Sequence, residues 1–515
     1  MTDLPERVFS LYKNGVRLWI DSGRLRYSAP TGVVLHEHME FLKSYKSDIE
    51  VLLQETAPDI KGTSLLEKRE LSAPHPTSLQ QDRLLDRLRE FPYSDRYMEY
   101  PLLIRGSVNT KFLIASIEET VRSHESLRTR IICIDGMSRQ VTASPPTQVV
   151  EVQPYGVEGV SRSPHNEALD FLTKFFNATP SWQSSPMLDV RLLCFSPVEH
   201  ILAVAAHHLI SDESSMDIFF QDIWGRYEAQ VLGSCQKSSG HQYHLQYRDY
   251  TIWQRLTVPG WIRDHGSYWR TRLSRFENLR WPSEQGFAGA NSQPLTKLRF
   301  SFGKELSASI SDLERRERLL PGIAVLTILL AAISRRCSQR DFVIATVVSG
   351  RARIDHDKVT GYLAHTVPLR FQVSGRETFA RLLRTVADEL LLSWQHVDSA
   401  RPMQKVLNAL DVAAYGKLSM IYQWRHTEYV GTSEALDVSS VQDLSIESLP
   451  VDKSFPDMPN APMVWVFFRH GAEICGYVLY SERRFERSLM EQFAIQIQRL
   501  AADLINNSEA PWESV

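Results

Sequence analysis

Apolar and polar residues near the N-terminus follow two different periodicities. Residues 16–27 largely alternate between the two types, apart from an Asp-Ser-Gly stretch at residues 21–23 that is typical of a tight turn. Apolar residues recur at helical spacing over residues 5–14 and again over residues 36–54. We therefore predict a small helix–hairpin–helix domain over residues 1–56.

The rest of the chain combines strand-like and helix-like patterns. Residues 57–76 are polar, contain prolines and lack periodicity, which favours a linker. Strand-like apolar runs then occur at residues 200–207 and 341–350. Helical runs occur at residues 111–123, 216–230, 379–395 and 487–507. This mixture indicates a layered α/β fold, which we divide near Gly260 into residues 77–258 and 259–515.

Composition and charge exclude several classes of partner. Hydrophobic residues make up 43% and charged residues 23% of the chain, and the net charge is −3. No strong field therefore favours nucleic acid or an anionic membrane. The apolar run at residues 319–333 is shorter than the ~20 residues of a membrane span, so we predict a buried helix with Pro321 near its first turn. Scattered cysteines without a CxxC pair, and no signal peptide, favour a reducing, cytoplasmic location without a cysteine zinc site.

Two adjacent histidines are the sharpest chemical feature of the sequence. His207 and His208 end a predicted strand, Asp212 follows, and Ser214 or Ser215 is expected to cap the next helix. Neighbouring residues on an extended chain point in opposite directions, so the two rings should have separate tasks and should not share a metal ion. An imidazole with an ordinary pKa of about 6.5 suits general base catalysis at neutral pH. From this pair alone, ordinary strand-end histidines remain the alternative.

Five short motifs together resemble those of nonribosomal peptide synthetase condensation domains, and they occur in that family's order. Residues 207–212 are similar to the start of its HHxxxDG motif. The others are Ser78–Leu84 (SxAQxRL), His124–Thr129 (HExLRT), Tyr247–Trp253 (YxDYAxW) and Gly361–Arg370 (GxFVNTxPLR). The resemblance implies an α/β fold of two chloramphenicol-acetyltransferase-like lobes, arranged in a V with a tunnel between them.

The same resemblance implies roles for the site residues. His208 would accept the proton of the acceptor nucleophile or orient that nucleophile, and His207 would be structural. Asp212 would pair with an arginine of the same lobe, for which Arg128 is our first candidate and Arg130 the second.

Three departures from the family motifs leave the substrates open. Glu213 replaces the glycine of HHxxxDG, where a side chain could narrow the tunnel or add a carboxylate near His208. His365 replaces the asparagine of the later motif, and a sixth motif, HQDxPFE, survives only at residues 396–398.

The N-terminal unit resembles a second family, the β-hairpin docking domains of megasynthase subunits. Such domains bind a short, usually acidic C-terminal tail of an upstream carrier protein as an added strand, and an exposed hairpin edge with several arginines suits this mode. The expected partner-binding residues are Arg17, Trp19, Arg24, Leu25, Arg26 and Tyr27. A small folding cap with solvated arginines is the alternative.

Together these features predict a free-standing, monomeric condensation enzyme. It would transfer an acyl chain from the phosphopantetheine thioester of an acyl or peptidyl carrier protein to a small-molecule hydroxyl or amine acceptor. An ester or amide would form and the chain would be released, with no bound cofactor or metal. The organisation is similar to that of ester-forming condensation enzymes of the kind found in the enacyloxin pathway. Alternatives are a catalytically silent recruitment domain, a CoA-dependent acyltransferase, and a cyclising or epimerising relative. The docking hairpin and the missing DFGWG motif argue against the CoA enzyme.

Overall fold

A computed structural model describes most of the chain. The described residues are 17–21, 24–28, 36–55, 74–90, 97–154, 164–177, 182–183, 186–233, 245–276, 279–282, 295–351, 357–396, 420–425, 427, 431–432, 444–449 and 463–514. The predicted helix over residues 5–14, most of the predicted linker and Asp398 lie outside them.

The secondary structure within these residues alternates between strands and helices. The strands are β1 (Arg17–Asp21), β2 (Arg24–Ser28), β3 (His75–Pro76), β4 (Tyr97–Arg105), β5 (Thr129–Ile134), β6 (Met137–Thr142), β7 (Val150–Pro154), β8 (Leu188–Ser196), β9 (Glu199–His207), β10 (Thr296–Ser301), β11 (Asp341–Val348), β12 (His365–Gln372), β13 (Ile421–Arg425), β14 (Ser445–Ser448), β15 (Met463–His470) and β16 (Glu473–Tyr480). The α-helices are α1 (His36–Ser44), α2 (Lys46–Glu55), α3 (Leu79–Glu90), α4 (Thr110–Ser123), α5 (Pro164–Asn177), α6 (Glu213–Val231), α7 (Tyr247–Arg272), α8 (Gly303–Arg316), α9 (Ile323–Cys337), α10 (Phe379–His396) and α11 (Arg487–Asn506).

The N-terminal hairpin forms as predicted. Strands β1 and β2 pair antiparallel, with Leu18 opposite Tyr27. The single helix predicted over residues 36–54 is α1 followed by α2, and backbone hydrogen bonds continue through Tyr45 between them. The Leu25 amide donates to Glu50 Oε1 at 3.1 Å, which ties the hairpin to α2. Buried apolar side chains supply a small core: Leu18, Phe41, Leu42 and Ile49.

The chain divides into two compact units near the predicted position. The first unit comprises Met1–Trp261, Gly350–Leu363 and Tyr429–Lys453, and the second comprises Ile262–Ser349, Ala364–Glu428 and Ser454–Val515. The prediction placed every residue after 258 in the second region, which is wrong for the two later segments of the first unit. One of them contains β14, which pairs with β4, so its backbone hydrogen bonds hold it in the first unit.

A five-stranded sheet forms the centre of the first unit. Its strand order is β14-β4-β9-β8-β7, antiparallel except for the parallel pair β7–β8. Leu202 and Val204 of β9 pack with α4 and α6, whereas Ile201 and Ala203 pack with α5. Because helices cover both faces, β9 is apolar from residue 201 to residue 206 instead of alternating.

A smaller sheet, with strand order β3-β6-β5, lies in the same unit. His75 and Pro76 were predicted to end the linker, but they pair with β6. Helix α3 follows directly and contributes Leu84, Leu85 and Leu88 to a buried cluster.

The second unit contains a six-stranded sheet with strand order β10-β16-β15-β13-β11-β12. Helix α9 is the predicted buried apolar helix, and it begins at Ile323, two residues after Pro321. Within the described residues, no helix combines the length and apolar character that crossing a membrane requires.

Candidate active site

His207 is the last residue of β9 and is completely buried. The Leu209 amide donates to His207 Nδ1 at 2.9 Å, and the His207 ring lies edge-on to Tyr97 with 4.9 Å between ring centroids. Because Nδ1 accepts a hydrogen bond, the proton of the neutral ring is on Nε2. These contacts close the turn that follows the strand and suit the structural role expected of His207.

The neutral ring of His208 carries its proton on the other nitrogen, Nδ1. Its Nδ1 lies 2.9 Å from the Ser211 carbonyl oxygen, which can only accept, so Nδ1–H is the donor. The neutral ring therefore carries a lone pair on Nε2, the atom a general base needs. The side chain is partly exposed, and its ring contacts that of Tyr362 with 4.6 Å between centroids.

The turn that carries His208 is anchored by the two residues that follow it. Leu209 and Ile210 are fully buried in the cluster formed with α3. Gln81 of α3 donates from Nε2 to the Leu209 carbonyl at 2.8 Å. Gln81 belongs to the first of the five motifs. One structural role of that motif is therefore to support the turn that carries His208.

Asp212 pairs with Arg351, not with Arg128. Arg351 Nη2 lies 2.9 Å from Asp212 Oδ1, and Nη1 lies 2.9 Å from Oδ2, which gives a two-point ion pair. The Asp212 side chain is 1% exposed and that of Arg351 is 7% exposed. Arg351 lies in the segment of residues 350–363, which belongs to the first unit although it follows part of the second unit in the sequence. The predicted partner was therefore wrong, although the predicted kind of pair is present in the same unit.

Arg128 instead binds backbone carbonyl groups. Its guanidinium donates to the carbonyl oxygens of Val121, Arg122 and Ala143, at the end of α4 and just after β6. The second candidate, Arg130, is exposed. Arg128 thus closes the C-terminal end of α4, where a cation is favourable, and has no direct role at the histidine pair.

Asp212 is also the N-cap of α6, a position that was predicted for Ser214 or Ser215. Its Oδ1 accepts from the Ser215 amide at 2.8 Å. The Ser215 hydroxyl lies 2.7 Å from Asp212 Oδ1 and 2.7 Å from the Gly361 carbonyl, and can donate to one of them at a time. Aspartate is among the preferred N-cap residues, so the cap could have been predicted from the sequence.

The charge of Asp212 is stabilised despite its burial. Desolvation alone would raise the pKa of Asp212, but the positive charge of Arg351 and hydrogen bonds from Arg351 and Ser215 outweigh it, so the pKa is lowered.

This lowered pKa predicts a loss of stability in acid. A carboxylate with a depressed folded-state pKa contributes stability fully above its unfolded pKa of about 3.9, and loses it as pH falls through the folded value. We expect the free energy of unfolding of the wild type to exceed that of Asp212→Asn at neutral pH, with the difference shrinking below about pH 4. Urea unfolding of both proteins across this range measures it, and a difference independent of pH would contradict the assignment.

Glu213 lies in the first turn of α6 and is partly exposed. Among the described residues its φ is not one of the positive values, so this backbone does not require the glycine of the family motif. An acidic residue in a first helical turn is electrostatically favourable. A role of Glu213 in substrate access stays a prediction.

His365, at the position of the family's asparagine, begins β12 and is 4% exposed. It belongs to the second unit, whereas the histidine pair belongs to the first. Among the residues that the structure describes, no three His, Cys, Asp or Glu side chains cluster closely enough to hold a metal ion.

The hairpin displays several of the predicted partner-binding side chains. Arg24 and Arg26 are exposed, Tyr27 is 45% exposed, and Leu25 is partly buried. The side chains of Arg17 and Trp19 lie outside the described residues.

Comparison with known families assigns both parts of the chain. Residues 77–515 match the Condensation domain family, and residues 8–55 match the TubC N-terminal docking domain. The chain therefore belongs to the condensation-domain family and carries an N-terminal docking domain, as the motifs and the hairpin predict. Condensation domains form amide or ester bonds.

The curated relatives are large peptide synthetases. Malpinin synthetase of Mortierella alpina is 23% identical over 448 residues, which are 85% of this chain and 6% of that protein. Bacitracin synthase 2 of Bacillus licheniformis is 23% identical over 400 residues, 75% of this chain and 14% of that protein. The chain thus spans only a small part of these relatives' length.

Solved structures share the fold. The X-domain from teicoplanin biosynthesis has a TM-score of 0.71 at 18% identity, covering 88% of this chain and 98% of that one. SgcC5 of Streptomyces globisporus has a TM-score of 0.65 at 17% identity, with coverage of 85% and 100%. The first condensation domain of the calcium-dependent antibiotic synthetase has a TM-score of 0.67 at 16% identity, with coverage of 86% and 99%. The predicted α/β, chloramphenicol-acetyltransferase-like fold is confirmed.

Sequence reasoning missed the residues that surround the histidine pair. Arg351 follows a strand but belongs to none of the five quoted motifs, and Tyr362 occupies an unspecified position of GxFVNTxPLR. Both reach the pair through tertiary structure, since 139 residues separate Arg351 from Asp212.

Proposed function

We propose that this chain transfers an acyl group from the phosphopantetheine thioester of a carrier protein to a hydroxyl or amine acceptor. The observation that carries the proposal is the orientation of His208. Its Nδ1–H donates to the Ser211 carbonyl, so that Nε2 of a partly exposed ring can accept a proton. The neighbouring His207 is buried and has the opposite tautomer.

The reaction uses one base and no covalent enzyme intermediate. The acceptor O–H or N–H donates to His208 Nε2 while its oxygen or nitrogen attacks the thioester carbonyl carbon. As the tetrahedral adduct collapses, the C–S bond breaks and the Nε2 proton passes to the departing thiolate. The Ser211 carbonyl stabilises the transient imidazolium, because a hydrogen bond from a charged donor is stronger.

Both acceptor classes suit this base, and a hydroxyl needs it more. A hydroxyl group is a weak nucleophile until its proton begins to leave. The fold accommodates such a ligand in a relative, since SgcC5 was solved in complex with an aromatic 1,2-ethanediol. Where the acceptor is a small molecule and not a second carrier protein, the same reaction releases the chain. The substrate arrives on the carrier's phosphopantetheine arm, and this chain supplies no cofactor of its own.

The proposal is tested with two donors and two acceptors. The same acyl group is supplied on a holo-carrier protein or on coenzyme A, with an aliphatic diol or the matching diamine, and products are identified by mass. We expect an acceptor-dependent ester or amide from the carrier-bound donor and a much slower reaction of acyl-CoA. Equal or faster use of acyl-CoA would instead establish a CoA-dependent acyltransferase.

A recruitment domain is the second candidate. It is supported by the similarity to the teicoplanin X-domain, which was solved in complex with OxyB, together with the glutamate that replaces the motif glycine. This candidate predicts that the carrier stays loaded with every acceptor, free or carrier-bound.

We further propose that the hairpin binds the acidic C-terminal tail of the donor carrier protein. The observation behind this is the row of exposed side chains on β2, where Arg24 and Arg26 flank Leu25. A tail that adds as a strand would gain backbone hydrogen bonds at the hairpin edge and charge complementarity from the arginines.

Charge reversal on the hairpin is expected to weaken this interaction. The double variant Arg24→Glu/Arg26→Glu should raise the Kd for a carrier with its tail by roughly tenfold or more, equivalent to about 1.4 kcal/mol. Calorimetry at two salt concentrations measures the change, and wild-type binding should weaken with salt. Arg24→Lys/Arg26→Lys is the matched control and should bind within about threefold of wild type. Unchanged affinity of the glutamate variant would contradict the proposal.

A further inference from the structure

The segment of residues 360–363 is fixed by hydrogen bonds to several elements of the first unit. Thr360 Oγ1 lies 3.1 Å from Nδ1 of His124, whose Nε2 lies 2.7 Å from Asp222. The Gly361 amide donates to Ser215 Oγ at 2.9 Å. The segment is thereby held by α6 and by His124, the residue that follows α4.

The two following residues are held in the same way. The Tyr362 carbonyl accepts from the Tyr247 hydroxyl at 2.7 Å. The Leu363 amide donates to Asp212 Oδ2 at 2.9 Å, and the Leu363 carbonyl accepts from Gln80 Nε2 at 3.0 Å. Each of these donors and acceptors sits on a different part of the unit, so the backbone at Tyr362 has little freedom.

Close packing of the segment against α7 explains the glycine within it. Gly361 has a φ of +149°, and a Cβ there would lie 2.1 Å from the ring of Tyr247. Only glycine fits both the dihedral angle and the space. The backbone path that carries Tyr362 is therefore set by the protein and does not depend on the Tyr362 side chain.

This backbone conformation places the Tyr362 ring beside the His208 ring. The two ring centroids are 4.6 Å apart and the rings are inclined by 43°. The hydrogen bond from Nδ1 to Ser211 restrains one atom of the His208 ring. The terminal torsion of histidine is broad, so that bond alone would let the ring tilt and move Nε2 away from its working position.

We propose that Tyr362 is a positioning residue for acyl transfer, whose aromatic ring packs against the His208 ring and stabilises its protonated form. The inference rests on the proposed function of His208. An aromatic face attracts a nearby cation, so the contact strengthens as Nε2 takes the proton of the acceptor. Displacement of a catalytic group by about 1 Å can cost on the order of 100-fold in rate. The quoted family motif leaves this position unspecified, so the motif itself assigns Tyr362 no role.

The test compares variants that keep or remove the ring. Tyr362→Phe should keep kcat within about threefold of wild type. Tyr362→Leu and Tyr362→Met should lower kcat by roughly 10- to 100-fold, with KM for the loaded carrier changed much less. Tyr97→Leu, which alters the tyrosine beside the buried His207, is the matched control. It should lower the melting temperature and leave kcat close to that of wild type.

A second readout does not depend on turnover. The titration of His208 is followed by the chemical shift of its Cε1, with the signal assigned by its absence in His208→Asn. The midpoint should fall in Tyr362→Leu and Tyr362→Met relative to Tyr362→Phe, because the aromatic face no longer favours the imidazolium.

The outcomes separate this inference from the proposed function. A wild-type protein that makes no product contradicts the proposed function, whereas the titration still reports on Tyr362. If Tyr362→Phe loses as much kcat as Tyr362→Leu, or if the leucine and methionine variants match Tyr362→Phe in both readouts, the positioning role is overturned.

Discussion

Replacing His208 with asparagine is expected to lower the rate of acyl transfer by roughly 10²- to 10⁴-fold, the usual contribution of a general base. The asparagine amide can still donate toward the Ser211 carbonyl, as Nδ1 of His208 does, so the turn should keep its conformation. What is lost is the atom that accepts the proton of the acceptor. Single-turnover kinetics with a loaded carrier measure the loss, and thermal unfolding shows that the fold is retained.

His207→Asn is the matched control for this variant. Its side-chain oxygen can accept from the Leu209 amide, but the contact with Tyr97 is lost. We expect lower stability and a rate within about tenfold of wild type for the folded protein. Equal losses of rate in the two variants would contradict the assignment of separate roles.

Replacing Asp212 with alanine is expected to lower the free energy of unfolding by about 3–5 kcal/mol, because it leaves the charge of Arg351 buried without its partner. The variant also removes the N-cap of α6 and an acceptor for the Leu363 amide. Denaturant unfolding measures the loss, and a change below about 1 kcal/mol would show that the pair contributes little.

A double-mutant cycle identifies the partner of Asp212. Arg351→Met combined with Asp212→Ala should show a coupling energy above about 1 kcal/mol, since the residues are in contact. Arg128→Met combined with Asp212→Ala should be additive within about 0.5 kcal/mol, because Arg128 binds backbone carbonyls elsewhere. The reverse pattern would restore Arg128 as the partner.

The elements with strong patterns were predictable from the sequence. Strand β9 was predicted at residues 200–207 and is Glu199–His207, and α4 was predicted at residues 111–123 and is Thr110–Ser123. A regular 3.6-residue period and an apolar run of strand length are signals carried by the local sequence. The position of the histidine pair at a strand end follows from the same run.

The surroundings of the pair were less predictable because they are tertiary. The family resemblance implied that Asp212 pairs with an arginine of the same lobe but not which arginine the fold brings to it, and Arg128 was only a candidate of that lobe. Residues 350–363, which include both Arg351 and Tyr362, belong to the first unit. No periodic pattern of apolar residues in the sequence predicts this. The predicted linker also ran two residues too far, since a two-residue strand such as β3 carries no pattern of its own.

Direct, base-assisted transfer from a carrier thioester is the central claim, and intact-protein mass spectrometry of a rapidly quenched single turnover tests it most directly. Loaded carrier is mixed with an equal amount of this protein, with and without the acceptor, and both proteins are weighed over time. The account predicts that the acyl mass leaves the carrier only when acceptor is present and never appears on this protein. Acyl mass on this protein, or discharge at the same rate without acceptor, would contradict it.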